Sequence, residues 1–191
     1  MNGRAADDIL TMVDDPGKAM EDLVAHVGRY PEQAFYFVRE GLSYAADKVH
    51  GEETEAHRSL QQFLAMDEID WDDMIQQYFS GHLPEPVMDA IEEAGGTEKL
   101  NRHIGGSQLC WGLRDYALRR WGMLARTVLE SWNVRCTSDF GRIVFAFIDF
   151  NMMQSQTDDK LEDFQEIYSF DEAFDDPFRL DKPAGPAGPN S

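Results

Sequence analysis

Asp139-Phe140-Gly141 spells the tripeptide with which protein kinases hold magnesium on the phosphates of ATP. That chemistry needs companions: a lysine on a strand, a catalytic-loop His-Arg-Asp and a glycine-rich loop. None is present, and 191 residues are too few for the fold that carries them. Three letters alone recur by chance. The same residues also read as a helix start. Thr137 or Ser138 would cap it, Asp139 in the first turn would complement the helix dipole, and Arg142 would be the partner of Asp139 three residues on.

Other constellations offer other chemistry. In "HIGGSQL" (103–109), Gly105, Gly106 and Ser107 precede a helix, where free backbone N–H groups cradle anions. The Lys-Ser/Thr of a P-loop and the dinucleotide glycine pattern are both missing. The competing reading is a tight turn with Ser107 as N-cap. In "HGEETEAH" (50–57), Glu53 and His57 have the four-residue spacing of metal ligands on one helix face. No second such pair is evident, so neither a metal nor a cofactor is expected. Cys110 falls near an apolar stripe and reads as a small filler. Cys136 follows Arg135, and a neighbouring cation lowers a thiol pKa. No histidine lies near it in sequence, so it reads as an incidental thiol. No catalytic residue is assigned. An enzyme with a site assembled from distant segments stays as an alternative.

Charge is distributed unevenly. The formal net charge is −19, which repels nucleic acid and anionic membranes at long range. Between residues 99 and 142, however, eight basic residues face three acids, Asp115, Glu130 and Asp139. Within this basic middle, "GLRDYALRRWG" (112–122) mixes Arg114, Arg119 and Arg120 with Tyr116 and Trp121. Cations among aromatics suit phosphate and base contacts. They equally suit an internal seam, with Asp115 four residues from Arg119 and an acidic C-terminal segment as partner. Arg114, Arg119, Arg120, Trp121 and Arg126 are the candidate binding residues, masked or not by that segment.

The elements that must position these residues are helical. "PEQAFYFVREGLSYAADKV" (31–49) opens on proline and repeats apolar residues at three- and four-residue steps, from Ala34 and Phe35 to Val49. Residues 18–27 read as a shorter helix. Three more polar helices are expected between 51 and 102, a section read as a helical insertion, with Gly81 and Gly95-Gly96 as stops. Leu109, Leu113, Tyr116, Ala117, Leu124, Val128, Leu129 and Trp132 form apolar stripes broken at Gly122. Residues 137–149 are rich in strand formers, but their apolar period of 3.6 argues for helix. With the preceding helix they outline a helix-turn-helix. Arg142 is its only base-reading candidate, too little for a recognition helix.

From 158 to 176, nine acids and one lysine alternate with Leu161, Phe164, Ile167, Tyr168, Phe170 and Phe174. Acids alone would mean a solvated tail. Acids with six large apolar residues mean a segment that docks, most simply on its own domain. The Pro/Gly-rich stretch 181–191 reads as disordered. The expected fold is therefore all-α: one multi-helix domain over 1–180 with a short irregular C-terminal segment.

Two blocks, "RYPEQAFYFVREGLSYA" (29–45) and "HIGGSQLCWGLRDYALRRWG…LARTVLESWNV…TSDFGRIVFAFID" (103–149), with "LEDFQEIYSFDEAF" (161–174), resemble a conserved bacterial family of planctomycetes and verrucomicrobia. The family has no assigned activity, so the resemblance implies a bacterial protein and adds no site residue. Two cysteines, a start without an apolar h-region and the lack of an ~18-residue apolar run point to a cytoplasmic protein without a membrane partner. The expected function is non-enzymatic, through contact with an unknown protein or nucleoprotein. The alternative is a nucleic-acid or ribosome-associated factor using residues 99–142, which the net charge disfavours.

Overall fold

Pro31 fixes the entry to the longest helix. Its ring holds φ at −73° with an extended ψ, and helix α2 (Glu32–His50) begins at the next residue. In this computed structural model, residues 16–67, 69, 71–153 and 159–175 are described. The tail at 181–191 and the ends of the acidic segment, 158 and 176, lie outside them. The apolar stripe of α2 is buried at Ala34, Phe35, Val38 and Ala45. Val49, expected on the same stripe, is instead 48% exposed, because the last turn of α2 runs past the edge of the core.

Helix α6 (Gly106–Trp121) lies along α2, and small residues set their separation. A Cβ on Gly112 would sit 2.3 Å from the Ala45 Cβ, and one on Gly41 would sit 2.4 Å from a Leu113 methyl. Neither fits at the present spacing. Helix α8 (Thr137–Asp149) fills the middle, with Phe140 and Ile143 fully buried and Phe147 edge-on to Phe35 at 5.7 Å. The helical reading of this stretch holds. Helix α1 (Pro16–Val27) adds Met20 and Leu23, and α7 (Ala125–Ser131) adds Ala125 and Leu129. Gly122, at φ 54°, ends α6 as its position suggested, and a short 3-10 turn (Gly122–Leu124) leads into α7.

Residues between the two blocks build a second, smaller core. Helices α3 (Glu55–Asp67), α4 (Trp71–Ser80) and α5 (Glu85–Glu93) close around Leu60, Leu64, Met74, Ile91 and Leu100. His57 is buried within it, bonded to the Thr54 hydroxyl at 2.7 Å and the Lys99 carbonyl at 3.1 Å. Polar contacts between described residues tie this unit to the main core, among them His50 with the His103 carbonyl at 2.9 Å and Arg102 donating to Asp47.

Residues 159–175 cross α6 and α8 through a 3-10 turn (Leu161–Phe164) and one π-helical turn (Asp171–Asp175). Phe164, Tyr168, Phe170 and Phe174 enter the main core, so the acidic segment docks on its own domain as its apolar residues required. The described residues hold eight α-helices and no strand, an all-α fold, and no described helix is long and apolar enough to cross a membrane.

The α2–α6 contact makes a sharp prediction. Gly112→Ala, which places a methyl against the Ala45 backbone as well as its side chain, is expected to lower unfolding free energy by about 2–3 kcal/mol in urea titration. Gly105→Ala, where φ is −68° and nothing lies within 4 Å of the added methyl, controls for the loss of glycine and should cost less.

Candidate functional site

Asp139 is 1% exposed, yet it is an ionised carboxylate with every oxygen engaged. One oxygen accepts from the Tyr30 hydroxyl at 2.6 Å, Arg142 at 2.6 Å and Arg29 at 3.1 Å. The other accepts the backbone N–H groups of Arg135 at 2.8 Å and Cys136 at 3.3 Å. Arg29 and Arg142 remain nearly half exposed, so the cations stay hydrated while the carboxylate is dry. Burial alone would raise the Asp139 pKa. Hydrogen bonds from Tyr30, the Arg135 N–H, Cys136 and Arg142 outweigh it and hold the group below the usual aspartate range. Burial first, and then the carboxylate beside it, push the Tyr30 hydroxyl up to about 12, so it stays a donor.

The three letters that suggested metal binding thus have three packing roles. Asp139 gathers the α1–α2 connection onto the start of α8, Phe140 fills the core, and Gly141 leaves room for Phe164, whose Cβ would lie 2.8 Å from an added methyl. The expected Arg142 partner is present. The expected cap is not. Cys136 occupies the N-cap, because Asp139 reaches back to the Cys136 N–H as the third helical residue. Thr137 is buried one position on, and its hydroxyl accepts the Ile167 N–H at 3.4 Å, fastening the C-terminal segment.

The remaining constellations serve packing as well. Glu53 pairs with Arg58, and His57 belongs to the second core, so the two do not converge. Among the described residues, no group of three or more His, Cys, Asp or Glu is placed to hold a metal ion. At the glycine turn, α6 begins at Gly106 with Gly105 as cap, so Ser107 lies inside the helix rather than capping it. Gln108 instead accepts the Gly105 N–H at 3.2 Å, which engages a group the anion reading would need open. Gly106 is covered by Phe164 and Asp163, the latter an acid. Cys110 is fully buried and its thiol is pushed up to about 12 by burial, an inert filler. Cys136 is exposed, with its sulfur 3.5 Å from Asp139.

The five basic and aromatic candidates separate. Arg114 donates to the Ala173 carbonyl at 3.1 Å and to Asp115 at 2.8 Å. Arg126 holds Glu130 at 2.8 Å, and also Asp171 and Asp175 of the acidic segment. These two arginines fasten that segment. Trp121 packs between Phe37 at 5.2 Å and Trp132 at 5.4 Å, as support rather than contact surface. Arg119 lies over the Tyr44 ring, and Arg120 pairs with Glu40 at 2.6 Å while lying over Tyr116 and Trp121. The expected Asp115–Arg119 pair does not form, because Asp115 is taken by Lys48 and Arg114. Burial would raise Asp115, but those two cations hold it below its ordinary value.

Arg119 and Arg120 remain on the surface, and beside them in the chain the structure adds two exposed apolar residues. Met123 and Leu124 are 71% and 64% exposed. Leu124 was expected on an apolar stripe, but the 3-10 turn after Gly122 swings both residues off the helix face. A glycine inside an apolar stripe was the available signal. Compared with known protein families, curated proteins and solved structures, the chain gives no match.

Asp139→Asn keeps the shape but removes the charge on which Arg29, Arg142 and Tyr30 converge. It should cost about 2–4 kcal/mol in urea unfolding at neutral pH. Because folding lowers the Asp139 pKa, its contribution is present above the unfolded value of about 3.9 and fades as pH falls through the folded value. The gap between wild type and variant should therefore narrow below about pH 4.

Proposed function

We propose that this protein is a non-enzymatic binding module that acts through a macromolecular contact made at the α6–α7 joint. The observation that carries the reading is Met123 and Leu124, 71% and 64% exposed, following Arg119 and Arg120 in the chain. Two large apolar side chains in water at one turn, with cations beside them, make a surface that gains by being covered. Methionine adapts its shape to what covers it.

The chain itself supplies the chemistry of a suitable partner. Next to the joint, Arg126 takes Asp171 and Asp175 of an acidic segment whose Phe170 and Phe174 are buried. A partner segment of the same kind, acids for Arg119 and Arg120 and apolar side chains for Met123 and Leu124, would complement the exposed remainder. A protein is favoured over a nucleoprotein because Glu40 already sits on Arg120 and the net charge is −19. On this reading the chain is a cytoplasmic bacterial protein of the family that its motifs resemble.

Displayed peptide libraries panned against the whole protein test this. Enriched peptides should combine acids with aromatic or aliphatic residues. Their affinity should fall about tenfold or more for Met123→Ser/Leu124→Ser and for Arg119→Glu/Arg120→Glu. Enrichment of basic peptides, or binding indifferent to both variants, would contradict the reading.

A further inference from the structure

A cleft of about 640 Å³ lies between the two cores, within the ~300–1,000 Å³ of small-molecule sites, and none of its lining belongs to the α6–α7 joint. The main core supplies an apolar floor: Leu42 from α2, Leu109 from α6, and Val144 and Ile148 from α8. Trp71, at the start of α4, brings a half-buried ring to the same lining. Protein interiors keep few voids larger than a water molecule, and a space with such a floor gains by being filled.

The ionic side chains of the lining already have partners. Glu53 pairs with Arg58, and Arg102, only 9% exposed, pairs with Asp47. His103 lies 3.1 Å from Asp159. Asp72 is exposed and keeps its water. An entering ion of either sign would give up hydration and meet no unpartnered buried counter-charge, which is unfavourable. Neutral groups of the lining differ. The Gln61 side chain and the Trp71 indole N–H have no hydrogen-bond partner among the described residues. The Asn101 side-chain oxygen takes the His103 N–H and leaves its amide N–H groups open. These groups can donate to a hydroxyl or carbonyl oxygen without a charge being buried.

We infer that the cleft between the two cores binds an uncharged small molecule, its apolar body on Leu109, Val144 and Ile148 and a hydroxyl or amide group toward Gln61, Trp71 and Asn101. This site is independent of the α6–α7 joint. A protein that binds no peptide there would still bind the neutral molecule.

Methyl-resolved NMR on the whole protein tests the inference with two matched pairs of probes. Phenethyl alcohol is set against phenethylamine, and hydrocinnamide against hydrocinnamate, so that charge is the main difference within each pair. Both neutral probes should shift the Leu109, Val144 and Ile148 methyl signals with a Kd on the order of 1 mM or tighter. Each charged counterpart should bind about tenfold more weakly. Ser43→Trp, at an exposed position on the lining, should abolish the shifts without touching the core. The inference is overturned if either charged probe binds as tightly as its neutral counterpart, if the neutral probes shift none of these methyls, or if the shifts survive Ser43→Trp.

Discussion

A carboxylate 1% exposed has no water to satisfy it, so every acceptor site must be answered by the protein. Asp139 meets that demand with groups that the chain delivers from three places. Arg29 and Tyr30 come from the α1–α2 connection, the Arg135 and Cys136 N–H groups from the α7–α8 turn, and Arg142 from α8 itself. Meeting it fixes where α2 starts relative to α8. That places Phe35 against Phe147 and opens the seat that Phe164 fills over Gly141. The C-terminal segment then closes across the helices, held by Thr137, Arg114 and Arg126. A single desolvated charge therefore organises the packing on which the exposed face is carried.

Most of the helices were legible, because their apolar residues recur at helical spacing over more than two turns and glycine or proline marks their ends. Pro31, Gly81, Gly95 and Gly122 all fall at such boundaries. The errors have local causes. Cys136 caps α8, a position where serine and threonine are preferred, because Asp139 reciprocates from inside the helix. Ser107 lost its expected role to Gly105 in the same way, with Gln108 reciprocating from inside the helix. Asp115 and Arg119 have ion-pair spacing, but Lys48 from a neighbouring helix competes for Asp115, and sequence spacing cannot see across helices.

The candidate surface was legible in part. Charge counting located the basic segment, but only the fold divides it. Arg114 and Arg126 serve the acidic segment, Trp121 serves the core, and Arg119 and Arg120 face outward. Met123 and Leu124 were invisible as a surface because a 3-10 turn, not an α-helix, carries them. The cleft between the cores draws its lining from five helices, three connections and the Leu161–Phe164 turn, and no window of sequence contains it.

The organising role of Asp139 is most directly tested by following its own ionisation. Carbon-detected NMR of the side-chain carboxyl, recorded against pH on the folded protein, reads that one group. The account predicts a midpoint below about 3.9, the ordinary aspartate value, with the Tyr30 hydroxyl still protonated throughout. A midpoint at or above that value would mean that burial outweighs the hydrogen bonds. Asp139 would then be a strained group of the kind found at catalytic sites rather than the tie that holds the fold.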